Sequence, residues 1–325
     1  MPGDDAHAHR LPWVPDRAPY MPVASVGLLQ VLRSADPGAA LGWPDPGDPF
    51  APPVLTLRTR LSIERTAEEI VSAPWPRLDA LEWPARPSQA IKPSLHKQVG
   101  DAEDGMAAVH AWRALAGLPP GSDSGRVEDV DRAAAHALVA ALLTDGVLDE
   151  SGLPGRNRLL RGVKSDLSGV AKPPKAKTVE IADELKHGMA WTSGSSGLGL
   201  GLVPEVQTFG GTTGPTPSAV GAYSKLLYYL CWHGIMAMPP YAVRRGPQTI
   251  VGGPLFADAA TLSWPIWSMP LRRTALIALF GLEPVHAPEP DRELLRAHGI
   301  QAVFRSRARE INTMISVFGW GDRVA

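Results

Sequence analysis

Hydrophobic spacing in the first third of the chain predicts alternating helices and strands. Val23 and Val26 begin a helical pattern in "VASVGLLQVLRSAD", which an Asp-Pro-Gly triplet ends, so this segment predicts a short buried helix. Leu55 and Leu57 share one face of the strand predicted in "PPVLTLRTRL", which forms a hairpin or meander with "AALGWP". A second helix follows, with Ser62 as its N-cap. The prolines of the first 20 residues predict an arm or an edge strand.

The last third of the chain continues this alternation. A helix is predicted in "VGAYSKLLYYLCWHGIMAM", and its aromatic residues Tyr223, Tyr228, Tyr229 and Trp232 are expected in the core. Strands punctuated by Gly and Pro are predicted in "AVRRGPQTIVGGPLF" and "TLSWPIWSMPL", short helices in "LRRTALIALFG" and "DRELLRAHG", and a closing strand in "IQAVFRSRAREI". The whole pattern predicts an α+β fold with small mixed or antiparallel sheets and an Ala-rich helical insertion.

Three arginines occupy every second position of the closing strand. Arg305, Arg307 and Arg309 therefore share one face of it. A solvated edge strand that is protected against aggregation has such a pattern, and so does a surface that follows an anionic polymer. The local pattern favours neither explanation.

Charge is segregated in the middle of a chain whose net charge is only -1. The helical pattern of residues 101–150 has a charge balance of -7, and residues 156–177 have a balance of +6. One face committed to a polyanion explains this segregation, and so does neutralisation of one segment by the other. The composition predicts three regions: an N-terminal α+β region (1–100), a helical and basic segment (101–190) and a C-terminal α+β region (191–325).

No catalytic or metal-binding motif stands out in the sequence. The glycines of the Gly194–Gly201 loop are not followed by the GK[ST] of a phosphate loop, and Pro204 comes soon after them. A small-molecule or nucleotide-binding enzyme that uses this loop is nevertheless the alternative to a binding protein. The nine histidines are scattered, so we expect no metal site. Because no catalytic group of residues stands out either, we expect no other cofactor and no catalysis.

The cellular compartment of the protein is indicated by its cysteine count and by the length of its apolar stretches. Cys231 is the single cysteine, which excludes an intrachain disulfide and fits a reducing cytoplasm. The N-terminus has no basic segment followed by an apolar one, and the apolar stretches are shorter than the roughly 20 residues that span a bilayer. We expect a cytoplasmic protein with no membrane partner.

Two stretches of the sequence resemble a known family. Residues Met21 to Leu57 have the order of a G-L-L-x-V-L helix, an L-x-W strand and a P-V-L strand, and Leu262 to Leu282 contains a W-P-x-W-x-x-P-L block. Both are similar to large-subunit proteins of type I CRISPR effector complexes, particularly the compact forms of the I-U (I-G) group. The closing strand and the terminal "FGWG" fit the same pattern.

The resemblance implies a non-catalytic subunit of a Cascade-like ribonucleoprotein. Its implied partners are CRISPR RNA, target DNA, the backbone and cap subunits, and transiently a helicase-nuclease. Its implied task is to hold RNA and target DNA and to recognise the short motif beside the target. At 325 residues the chain is shorter than a typical large subunit.

A nucleic-acid-binding role requires cations that contact the phosphate backbone. The candidate binding residues are all lysines and arginines from basic clusters along the chain. They are Lys92, Lys97, Arg156, Arg158, Arg161, Lys164, Lys172, Lys175, Lys177, Arg244, Arg245, Arg272, Arg273, Arg305, Arg307 and Arg309.

Overall fold

Helices alternate with small antiparallel sheets in the computed structural model. It describes residues 7–12, 14–44, 53–74, 176–188, 192–193, 222–238, 241–245, 248–252, 254–258, 261–312 and 315–325. The described strands pair only in the antiparallel sense, and the α+β class predicted from the sequence is confirmed. The predicted Ala-rich insertion lies outside the described residues, as do the predicted boundaries at residues 100 and 190.

The N-terminal part forms a three-stranded sheet with two helices. Its elements are β1 (His7–Arg10), α1 (Met21–Leu32), β2 (Ala40–Gly42), β3 (Thr56–Thr59) and α2 (Ile63–Ser72). The strand order β1-β3-β2 makes the start of the chain an edge strand, as predicted. Leu57 and Thr59 are buried and Arg58 between them is exposed, which confirms the predicted faces of β3. Ser62 Oγ accepts a hydrogen bond from the Arg65 N–H at 3.1 Å and caps α2, also as predicted.

A close crossing of two helices lies at the centre of the fold. The next elements are α3 (Thr178–His187), β4 (Thr192–Ser193), β5 (Ala222–Tyr223) and α4 (Lys225–Ala237). Helix α1 packs along α4, and residues 21–29 of α1 are buried all round, as expected for a central helix. A Cβ on Gly27 would lie 2.7 Å from the Leu230 carbonyl carbon, and one on Gly234 would lie 2.8 Å from that of Val23. One glycine on each helix therefore lets the two backbones touch.

The aromatic residues predicted for α4 have three different outcomes. Tyr229 is buried, which confirms its place in the core. Tyr223 precedes the helix and belongs to β5 instead, because Ser224 ends the extended segment and caps α4 by accepting from the Leu227 N–H at 3.1 Å. The side chains of Tyr228 and Trp232 lie outside the described set.

The C-terminal part contains a second sheet and three short helices. Its elements are β6 (Tyr241–Arg245), β7 (Gln248–Gly252), β8 (Phe256–Asp258), β9 (Thr261–Trp267), α5 (Arg273–Phe280), α6 (Glu283–His286), α7 (Arg292–Ala297), β10 (Ile300–Asn312), β11 (Ile315–Phe318) and β12 (Asp322–Arg323). Strands β6 and β7 form a separate hairpin, and the main sheet has the order β11-β10-β9-β8. Strand β12 also pairs with β10.

Strand β10 is an interior strand of this sheet. It pairs with β9 on one side and with β11 and β12 on the other. Val303 is fully buried, and Phe304 and Ser306 are nearly so. Arg305 is paired on both sides, with Ser263 of β9 and Asp322 of β12, so protection of a solvated edge does not explain this arginine. The register pairs Arg307 with β9 and Arg309 with β11, and the edge explanation stays open for these two.

The N-terminal and C-terminal parts are joined by hydrogen bonds between β2 and the end of β9 with the segment that follows it. The main chains of Leu41 and Leu271 exchange hydrogen bonds at 2.9 and 2.8 Å, and the Trp43 N–H donates to the Trp267 carbonyl at 3.0 Å. The indole N–H of Trp267 donates back to the Leu41 carbonyl at 2.8 Å. These bonds fix the segment between β9 and α5 against the N-terminal sheet.

Candidate nucleic-acid interface

Two arginines begin helix α5, at the point where the bridge to β2 ends. Arg272 occupies the N-cap position and Arg273 is the first helical residue. Arg272 is exposed and Arg273 is half-buried. The N-terminus of a helix carries a partial positive charge, and carboxylates usually stabilise it, but the first turn of α5 has none. Positive side chains here add to the helix dipole instead of compensating it.

A third arginine from the other end of the chain approaches this pair. Arg33 directly follows α1, where a cation is favoured by the negative end of that helix, and its side chain is exposed. Burial lowers the pKa of Arg273, and the positive charge of Arg33 lowers it further. We call Arg33, Arg272 and Arg273 the α5 arginine cluster.

The α5 arginine cluster has no carboxylate to neutralise it within the described part of the chain, where none of its members forms an ion pair. Asp36, three residues from Arg33, is buried and serves another purpose. Its carboxylate accepts from Thr59 Oγ1 at 2.6 Å, from the Arg60 N–H at 2.8 Å and from the Gly38 N–H at 3.1 Å. Burial raises the pKa of Asp36, but these hydrogen bonds outweigh burial and lower it overall.

Cations on α2, α3 and α4 have a different environment. Lys186 bonds Glu64 at 2.5 Å, Arg65 bonds Glu68 at 2.7 Å, and Lys225 of α4 bonds a glutamate of α3 at 2.8 Å. The hydrogen bond from Lys186 is the main reason that the pKa of Glu64 falls to about 2. The positive charges of Arg65, Lys186 and Lys225 are therefore matched by nearby glutamates, whereas the α5 arginine cluster forms no ion pair within the described residues.

The arginines of β10 do not act as one row. Arg305 is half-buried, and its guanidinium donates to Ser263 Oγ at 3.0 Å, to the Pro288 carbonyl at 3.2 Å and to the Ala287 carbonyl at 2.6 Å. These bonds fasten the segment after α6 to the sheet. Arg307 is exposed, and the side chain of Arg309 lies outside the described set. The predicted common face thus contains one arginine with a structural task and one that faces solvent.

The other candidate cations lie mostly outside the described residues. Lys177 is exposed just before α3, and its main-chain N–H donates to Glu180 Oε2 at 3.1 Å. Arg244 and Arg245 belong to β6, but their side chains are not described. The Gly194–Gly201 loop is outside the described residues, and so are Lys92, Lys97, Arg156, Arg158, Arg161, Lys164, Lys172 and Lys175.

Buried titratable groups elsewhere in the described residues belong to the core. Burial lowers the pKa of His233 to about 4, and it raises the pKa of the Cys231 thiol far above its usual range. Half-buried His286 donates its Nε2–H to two carbonyl oxygens, that of Phe280 at 2.8 Å and that of Pro254 at 3.0 Å. Over the described ranges no three His, Cys, Asp or Glu side chains are grouped as a metal site requires.

Sequence reasoning found Arg272 and Arg273 but missed Arg33. A pair of adjacent arginines is visible in the sequence, whereas Arg33 is a single cation at the end of a helix. It joins the pair only because Leu41 and Leu271 bring the two ends of the chain together. No local signal in the sequence marks that contact.

Comparison with known proteins gives no family for this chain. No protein-family model matches it, and no curated protein matches it. None of the helices described in the structure combines the length and apolar character needed to cross a membrane.

Proposed function

We propose that this protein is a non-catalytic nucleic-acid-binding subunit of a type I CRISPR RNA-guided interference complex. In that complex it contributes to binding of CRISPR RNA and target DNA and to recognition of the adjacent motif. The observation that carries the proposal is the α5 arginine cluster, in which Arg272 and Arg273 begin a helix at its positive end and the charge of Arg33 acts on Arg273. Such an arrangement is costly alone and becomes favourable when a phosphate chain supplies the missing negative charge.

The W-P-x-W-x-x-P-L block supports the proposal because it explains how the cluster is positioned. Trp264 and Trp267 are buried, and their indole N–H groups donate at 2.8 Å to the carbonyls of Asp16 and Leu41. The block thus anchors β9 at two points before the chain turns at Pro270 into α5. Arginines on a rigid support lose less conformational entropy when they bind phosphate than arginines on a loose loop.

An exposed apolar side chain, that of Met269, lies three residues before Arg272 in the sequence. Met269 is 68% exposed although it is flanked by anchored residues. A flexible thioether next to cations suits a surface that contacts both the apolar faces of bases and their phosphates. Arg307 on β10 adds a further exposed cation.

Recovery of the protein from its own cells tests the proposal. The tagged chain is expressed from its native operon, purified, and divided into nuclease-treated and untreated samples. The proposal predicts co-purification of several other proteins and of a discrete RNA that contains CRISPR repeat sequence. Recovery of the protein without nucleic acid, or with RNA of random sequence and length, would contradict it.

The isolated protein provides a second test that does not depend on the complex. Binding of fluorescein-labelled single-stranded DNA and RNA is followed by anisotropy over a salt series. We expect affinity to fall linearly with the logarithm of salt concentration, because phosphate contacts release counterions. Affinity that is independent of salt would exclude the phosphate contacts on which the proposal depends.

A further inference from the structure

A second basic surface lies between α7, the start of β10 and residues Arg323 to Ala325. It is a pocket of about 310 Å³. Its lining consists of Arg292, Leu295, Arg296, Ile300, Gln301, Ala302, Arg323 and Ala325. None of its three arginines was among the candidates from the sequence. We call it the α7 pocket.

The positive charge of the α7 pocket is not neutralised by its neighbours. Arg292 and Arg296 are one helical turn apart on α7, so they repel each other, and both are exposed. Within the described residues neither forms an ion pair. Asp291 is occupied as the helix cap, since its Oδ1 accepts from the Glu293 and Leu294 N–H groups at 2.9 and 3.2 Å.

The opposite wall of the α7 pocket is preorganised. Arg323 Nε donates to the main-chain oxygen of Ala325 at 3.0 Å, and its Nη2 donates to the Gln301 carbonyl at 3.3 Å. The Ala325 oxygen also accepts from the Val303 N–H at 3.1 Å. These bonds hold Arg323 in place against the main chain of β10 and of Ala325. The lining of the pocket includes three arginines and no Asp or Glu side chain, which suits a phosphate monoester.

Size and lining indicate more than a phosphate group. A bare phosphate occupies the space of only a few waters at about 30 Å³ each and would leave most of the pocket to solvent. Leu295 and Ile300 are almost fully buried and form an apolar floor beneath the arginines. The exposed side chain of Gln301 offers an amide donor and acceptor to a sugar or base edge. Small-molecule pockets begin at about 300 Å³, so this one accommodates a single unit rather than a chain.

We infer that the α7 pocket binds a single nucleotide through its terminal phosphate. Arg292 and Arg296 contact the phosphate, and the floor of Leu295 and Ile300 contacts the sugar or base. A free nucleotide and the phosphorylated end of a nucleic-acid strand have the same chemistry. The inference does not rest on the proposed function, because a free nucleotide could occupy the pocket of a protein that binds no strand.

Three probes distinguish these sources. Binding of AMP and of inorganic phosphate to the full chain is measured by calorimetry. Binding of a labelled oligonucleotide with a 5′-phosphate is compared by anisotropy with the same strand ending in a 5′-hydroxyl. The inference predicts that AMP binds more tightly than inorganic phosphate. A preference for the 5′-phosphate strand assigns the pocket to strand ends, and AMP binding without that preference assigns it to free nucleotides.

Matched double variants locate the site. R292Q/R296Q should weaken AMP binding at least about tenfold, since each lost contact is a charge-assisted hydrogen bond. R65Q/K186Q, which removes two exposed cations that are paired with glutamates, should leave AMP binding unchanged. Thermal stability without ligand should be kept or slightly raised in R292Q/R296Q, because the repulsion along α7 is relieved.

Two results would overturn the inference. One is the absence of binding by AMP and of any preference for a 5′-phosphate. The other is AMP binding that R292Q/R296Q leaves intact in a folded protein. Failure of the proposed function gives a different result: a strand with a 5′-hydroxyl end would then show no salt-dependent binding to the protein.

Discussion

The crossing of α1 and α4 makes Gly27→Ala an informative perturbation of the fold. A Cβ at this position would lie 2.7 Å from the Leu230 carbonyl carbon and 2.9 Å from the Gly234 nitrogen. Ordinary van der Waals contact starts at 3.4 Å, so the carbon alone requires a shift of about 0.7 Å. The Leu230 carbonyl oxygen would lie closer still, and all three obstructing atoms belong to the main chain of a helix, which cannot move aside as a side chain does. Alanine should therefore separate the two helices.

The magnitude follows from two opposing effects. Overpacking of a well-packed core costs about 1–3 kcal/mol and more where backbone must move, so we take about 3 kcal/mol. Alanine regains about 1 kcal/mol through its higher helix propensity. The expected net loss of stability is about 2 kcal/mol, measured by urea denaturation followed by circular dichroism. Gly281→Ala is the matched control, because its Cβ would find its nearest neighbours at 3.7 Å and little stability should change.

A double variant sharpens this prediction. Gly27→Ala and Gly234→Ala lie at the same crossing, so once one has separated the helices the other should cost less than it does alone. Strict additivity of the two free-energy changes, or a Gly27→Ala variant as stable as the original protein, would refute the close crossing.

Three further predictions concern individual side chains. Asp36→Asn should lower stability at neutral pH by about 1–3 kcal/mol, since buried donors lose a charged acceptor. Because the pKa of Asp36 is lowered in the fold, its contribution to stability is present at neutral pH and is lost below about pH 4. The variant should therefore lose less stability in acid than the original protein does, and equal acid profiles would contradict this. Arg305→Ala should lower stability by about 2 kcal/mol because its hydrogen bonds are lost, whereas Arg307→Ala, at an exposed position, should change stability by less than about 0.5 kcal/mol. Equal shifts in melting temperature for the two variants would refute the different roles of these arginines. Cys231 is buried with a raised thiol pKa, so it should react with a thiol reagent only as fast as the protein unfolds, and rapid labelling of the native protein would contradict its place in the core.

Local patterns in the sequence predicted the elements well. The cap at Ser62, the buried helix that contains Val23 and Val26, and the alternating faces around Leu57 each depend on residues within one element, and all are confirmed. The interior position of β10 could not be predicted in the same way. Alternating arginines are compatible with an edge, and only the pairing of Arg305 with β9 on one side and β12 on the other excludes an edge at that residue.

The candidate interface was predictable only in part, for the same reason. Arg272 and Arg273 are adjacent in the sequence, but Arg33 reaches them through tertiary bonds, and Arg305 is diverted to carbonyls that lie far from it in the sequence. Charge counts along the chain cannot separate a cation that binds its own backbone from one that remains available. That distinction requires the partners of each side chain.

The salt dependence of nucleic-acid binding tests the central claim most directly. R33Q/R272Q removes two exposed cations of the α5 arginine cluster, and R65Q/K186Q removes two exposed cations that are paired with glutamates. For single-stranded DNA, loss of two phosphate contacts should make the slope of log affinity against log salt shallower by about 1.4 units in R33Q/R272Q, at roughly 0.7 per contact. The slope of R65Q/K186Q should be unchanged. Equal slopes for the two folded variants would show that the α5 arginine cluster does not contact nucleic acid.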